Sequence, residues 1–118
     1  MTDDAAGTKK NDELSDFINA GWKFHTEGND QDAEQQFNKA LTIDQESIEA
    51  YYGMGIVMKS QDNITAMVTN FEKVIQLVAQ IEGDRAKAEM LRRLAMGHIN
   101  QARNGDWGLE GEIWKHSS

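Results

Sequence analysis

Between Gly28 and Asp44 the chain reads GNDQDAEQQFNKALTID, in which Ala33, Phe37, Ala40 and Leu41 follow one another at intervals of four, three and one among acids and amides. That spacing draws a single apolar stripe along a helix. Two of the contact positions are alanine, so the stripe buries little area by itself and needs another backbone close against its one large anchor, Phe37. Upstream, Phe17, Ile18, Ala20, Gly21, Trp22 and Phe24 make a second apolar-rich segment, cut from the first by the turn signal TEGND. The pattern predicts two short helices paired through a tight turn.

Sliding the chain along itself until Phe17 falls on Tyr51 also brings Gly21 onto Gly55, Phe24 onto Met58, Asn29 onto Asn63 and Phe37 onto Phe71. Lys39 then meets Lys73, and Ala40, Leu41 and Ile43 meet Val74, Ile75 and Leu77. A two-helix unit repeated at this period predicts a stack in which each pair buries its open face on the next. The segment RAKAEMLRRLAMGHINQAR, residues 85–103, carries Leu91, Leu94, Ala95, His98 and Ala102 on one helical face and predicts a further helix. NGDW repeats the turn chemistry, and Leu109, Ile113 and Trp114 supply a short closing helix.

These residues resemble the tetratricopeptide repeat family. Phe17, Gly21, Phe24, Gly28, Ala33, Phe37 and Ala40 match the family's aromatic, small and turn positions in residues 14–47. In residues 48–81 the matches are Tyr51, Gly55, Met58, Phe71 and Val74, with Met67 and Val74 in place of the usual alanines. Gln45 stands where the family has proline, and the chain contains none, so the second unit's last helix is expected to run to Ile81 before EGD ends it. The expected architecture is all-α: an antiparallel helix-hairpin solenoid of two and a half to three repeats, the degenerate third at residues 85–115. Residues 13–118 form that domain, and residues 1–12, small and charged without a stripe, are expected as a disordered tail.

The net charge of −8 is unevenly placed, with 12 acids against 4 bases in residues 1–50 and 8 of each in residues 51–118. Phosphate binding needs a clustered basic surface, so the acidic half argues against a nucleic-acid partner. There is no cysteine, no apolar run long enough to span a membrane and no leader-like apolar core at the start. The expected setting is the cytoplasm, with no membrane partner.

Catalytic and metal chemistry find little support. Asp30, Asp32 and Glu34 imitate the start of a calcium loop, but Gln35 and Leu41 stand where that loop needs glycine and a carboxylate. His25, His98 and His116 have no thiol or nucleophile elbow to work with, and no glycine-rich loop follows a strand. No enzyme activity, metal or cofactor is expected. His98 reads as a satisfied, half-buried histidine, and Gly21 and Gly55 read as close-packing positions.

Function is then expected on a groove. The resemblance implies that the first helix of each pair lines a concave surface, which places Ile18, Trp22 and His25 beside Tyr52, Ile56 and Lys59, with Arg92 as an electrostatic contact. Trp22, Tyr52 and Ile56 are expected to form one exposed apolar surface, with Ile18 at its edge, that takes an apolar or helical peptide from a protein partner. Some relatives in that family clamp the C-terminal carboxylates of chaperones with Lys and Asn. Here Ile18, Trp22 and Gly53 occupy clamp positions, leaving only Arg92 and Arg93. A rival reading makes Trp107, Trp114 and the closing helix a self-association surface of a homo-oligomer or of a longer solenoid.

Overall fold

A computed structural model describes residues 2–83 and 85–104, with side chains from Lys10 onward. The expected closing helix, with Leu109, Ile113 and Trp114, lies outside the described residues, as do Trp107 and His116. Five helices follow in order: α1 (Thr2–Thr26), α2 (Asp30–Ile43), α3 (Ile48–Ser60), α4 (Ile64–Val78) and α5 (Ala86–Asn104), with no strand among the described residues. Each helix packs on its neighbours in the chain, and α3 also touches both α1 and α5.

The chain turns between helices without proline. Ser47 is the buried N-cap of α3, its hydroxyl accepting from Ala50 N at 3.2 Å, while the Asp44 carboxylate accepts from Glu46 N at 3.0 Å. Asn63 caps α4 in the same way, accepting from Ala66 N at 3.2 Å. These side chains satisfy backbone donors that the first turn of a helix leaves open. Helix α4 stops at Val78, short of the Ile81 expected: Gln80 N and Ile81 N bond back to Leu77 and Val78 in tighter turns, and Gly83 takes a φ of 89°. Helix α1 begins at Thr2, so residues 2–12 are helical backbone continuous with α1 where a disordered tail is expected from composition. No proline interrupts that stretch, and Lys10 to Asp12 are exposed.

The repeat offset is visible atom by atom in the two helix pairs. Phe37 and Phe71 are both fully buried. A Cβ placed on Gly21 would fall 2.7 Å from the Phe37 ring, and one on Gly55 would collide with the Phe71 ring in the same manner. Lys39 lies over the Phe17 ring at 5.8 Å and Lys73 over the Tyr51 ring at 5.9 Å. In the turns, Asn29 N bonds to Phe24 O and Asn63 N to Met58 O, both at 2.8 Å. Gly28 and Asp62 both take positive φ, 80° and 62°.

One core runs through the molecule, from Ile18 in α1 through Ala33, Phe37 and Ala40, Ala50, Met54 and Val57, then Met67, Phe71, Val74 and Val78, to Ala95 and Ile99. Gly53 also meets the Phe37 ring, so one phenylalanine is held between the close-packed backbones of α1 and α3. The outer side of α1 is different. Asp16, Asn19 and Lys23, the first-pair counterparts of Ala50, Gly53 and Val57, are exposed where those three are buried. The α1 end of the described stack therefore presents a solvated face.

Candidate functional site

Helices α1, α3 and α5 place a row of rings side by side. Trp22 lies 6.2 Å from Tyr52, and Tyr52 lies 6.3 Å from His98, between ring centroids. Trp22 also meets Phe37 edge-on at 5.3 Å, Tyr52 meets Phe71 at 5.5 Å, and His98 stacks on Phe71 at 5.0 Å with ring planes 10° apart. Trp22, Tyr52, Ile56 and His98 are each half-buried; Trp22, Tyr52 and Ile56 pack against the core, and His98 reaches it through Phe71. The aromatic surface expected from the sequence is thus a partly covered one.

Ile18 requires a correction. It is only 5% exposed and belongs to the core, because its side chain shares the buried side of α1 with Gly21. It therefore leaves the proposed surface. His25 stays at its edge, 6.2 Å from Trp22, and its Nδ1 lies 2.8 Å from the Asp30 carboxylate. That contact, and next the Ser60 hydroxyl, hold the Asp30 carboxyl below its ordinary range.

Lys59 closes the other end of the row. Its ammonium donates to His98 Nδ1 at 3.0 Å and to Gln101 Oε1 at 3.3 Å. An Nδ1 that accepts leaves the neutral ring its proton on Nε2. Burial first, and then the Lys59 charge, push His98 down to about 4, so the ring is uncharged near neutral pH. Burial likewise raises the Tyr52 phenol. The face combines neutral aromatic surface with one cation.

Arg92 is not brought to this row. Six positions separate it from His98, about 120° around a helix, and its guanidinium donates to Glu89 Oε2 at 2.8 Å and to Met96 Sδ at 2.9 Å. The same guanidinium keeps the Glu89 carboxyl below its usual value. His98 and Gln101 are the row's members that a strict repetition of the Gly21-to-Gly55 offset misses, since it carries Ile56 to Met90. The connection from Ala79 to Arg85 is longer than that from Asp44 to Ser47, and α5 starts a turn earlier relative to its buried Gly97 than α3 does relative to Gly55, so the third element lies further along the chain than the offset reaches. The signal was a second glycine interval, from Gly55 to Gly97.

Away from the row, a hollow of about 600 Å³ lies between the α2–α3 turn and the start of α5, lined by residues that include Ser47, Ile48, Arg85, Lys87 and Leu91. Among the described residues, no group of three or more His, Cys, Asp or Glu side chains is placed to hold a metal ion, and no helix is long and apolar enough to cross a membrane. Compared with protein-family models, curated proteins and solved structures, the chain matches none.

Proposed function

We propose that the chain is a tetratricopeptide-like hairpin stack and a non-enzymatic interaction module, which takes an apolar or helical peptide along the face formed by Trp22, Tyr52, Ile56 and His98. The single observation that carries this reading is the unbroken contact of Trp22, Tyr52 and His98 across three helices, α1, α3 and α5. Such a row offers large, rigid surface at low entropic cost, the kind of anchor on which peptide recognition concentrates. With His98 neutral, a partner's apolar side chain meets no second buried charge. The Lys59 ammonium, held by His98 and Gln101, sits where it can meet a polar or acidic group at one end of such a peptide.

A displayed library of randomised helical peptides tests the reading. Selection on the full chain should enrich sequences with apolar residues at i, i+3 and i+4. Trp22→Ala and Tyr52→Ala should each weaken the best isolated peptide by tenfold or more, while Glu34→Ala on α2 should not change it. Because Trp22 packs edge-on against Phe37, its truncation should also cost about 2 kcal/mol, less than for a fully buried tryptophan. Circular dichroism of each variant therefore accompanies the titration. Enriched peptides that bind both variants as well as the parent chain would place recognition elsewhere.

A further inference from the structure

The aromatic row carries hydrogen-bond donors that the described fold does not use. Tyr51 spends its hydroxyl on Gln45 O at 3.1 Å. The hydroxyl of Tyr52 and the indole N–H of Trp22 have no such partner among the described residues. No buried side-chain nitrogen or oxygen among those residues lacks a hydrogen bond, so both of these donors reach solvent. Lys59 adds a third, because its ammonium carries three N–H groups and donates to His98 Nδ1 and Gln101 Oε1. The acceptors beside the row are engaged: those two by Lys59, and the Asp30 carboxylate by His25 at 2.8 Å. The face therefore leads with donors.

The rings are also inclined to one another. Trp22 and Tyr52 meet at 44° with centroids 6.2 Å apart, and Tyr52 and His98 at 51° with centroids 6.3 Å apart. Rings so placed do not stack, and a wedge opens between each pair. Different peptides would use this surface unequally. A helix keeps its carbonyls in internal bonds except in its last turn. An extended segment of ordinary residues brings backbone N–H groups that would face donors. Proline brings a carbonyl and a compact apolar ring with no N–H, and the polyproline II helix has no internal hydrogen bonds. Such a segment is uncharged, so the 12 acids of residues 1–50 do not repel it, and its carbonyl oxygens complement the Lys59 charge.

We infer that the row docks a proline-rich segment in the polyproline II conformation, whose carbonyl oxygens accept from Trp22 Nε1, the Tyr52 hydroxyl and Lys59 while its pyrrolidine rings enter the wedges between the aromatic rings. Because that conformation is preformed, little chain entropy is lost on binding. The inference rests on the reading of the row as a peptide face and adds a ligand class to it, so an oligoproline and the best helical peptide should compete.

A capped oligoproline of about ten residues, titrated into the full chain, tests this. In a proton–nitrogen NMR spectrum the Trp22 indole cross-peak, assigned through Trp22→Phe, should move saturably downfield, and a glycine–serine peptide of equal length should leave it in place. Tyr52→Phe keeps the ring and removes the donor, so it should weaken oligoproline by about threefold or more and leave helical-peptide affinity unchanged. Trp22→Phe should act in the same direction, and the parent chain's own shifts serve if either variant does not fold. An unmoved Trp22 indole, with helical peptides still bound at the row, would overturn the inference and leave the peptide face standing. Binding of neither class would overturn both. Oligoproline affinity equal in both phenylalanine variants and the parent, or shifts confined to other tryptophans, would also overturn the inference.

Discussion

Glycine and phenylalanine together set the distance between helices. Adding a methyl group at a helical glycine gains about 1 kcal/mol of intrinsic propensity, but at Gly55 that methyl would collide with a Phe71 ring that is buried on every side. Overpacking of this kind costs about 1–3 kcal/mol, so the steric loss wins. Gly55→Ala should therefore lower the urea midpoint, and an increase would show that α3 and α4 can separate freely. Asp62 shows the opposite case: a φ of 62° is costly for a side-chain-bearing residue, and its counterpart in the first pair is glycine. Asp62→Gly should stabilise the protein by roughly 1 kcal/mol, read as a rise of several degrees in melting temperature. No rise would mean that the aspartate recovers its backbone cost through local bonding.

At the level of elements, side-chain caps do the work that a proline after α2 would otherwise do. Ser47 is buried and its hydroxyl accepts from Ala50 N, so Ser47→Ala leaves a helix donor open where water has little access. The loss should be about 1–2 kcal/mol in urea unfolding, and Ser47→Asp should recover part of it. A midpoint unchanged in Ser47→Ala would show that the Asp44 turn alone starts α3. The length of α4 follows the same logic. Its sequence carries apolar residues as far as Ile81, but the helix ends once Val78 has reached the core and Gly83 turns the chain toward α5.

Across the whole molecule, His98 joins three helices: from α5 its ring lies on Phe71 of α4, beside Tyr52 of α3, and accepts from Lys59. Its pKa is lowered from 6.5 to about 4, so the folded state favours the neutral ring. Between those values the unfolded chain binds more protons, and stability must rise with pH. The contribution is complete above about pH 6.5 and disappears as pH falls toward 4. Because the ring is partly exposed, the loss from about pH 7 to about pH 5 is discounted to about 1 kcal/mol. Urea midpoints at the two pH values should differ accordingly, and His98→Phe, which retains a ring on Phe71, should reduce the difference. An equal pH dependence in the variant would assign the effect to other groups.

The sequence by itself determined that the stripes around Phe17, Phe37, Tyr51, Phe71 and Leu91 are helical and how the first four helices pair, though not where α1 begins or α4 ends, because a stripe at helical spacing, a glycine answered by a phenylalanine on the next helix and a turn between them are all local. It also placed Phe37 and Phe71 in the core and read Gly21 and Gly55 as close contacts, since their roles depend on residue size. Tertiary structure alone decided which side of α1 is covered. Ile18 and Trp22 are both apolar and one helical turn apart, and only the approach of α2 and α3 made the first core and the second half-exposed. It also drew His98 and Gln101 to Lys59 and left Arg92 with Glu89. A period counted along the chain cannot anticipate the longer α4–α5 connection, whereas packing in space follows wherever that connection delivers the next helix.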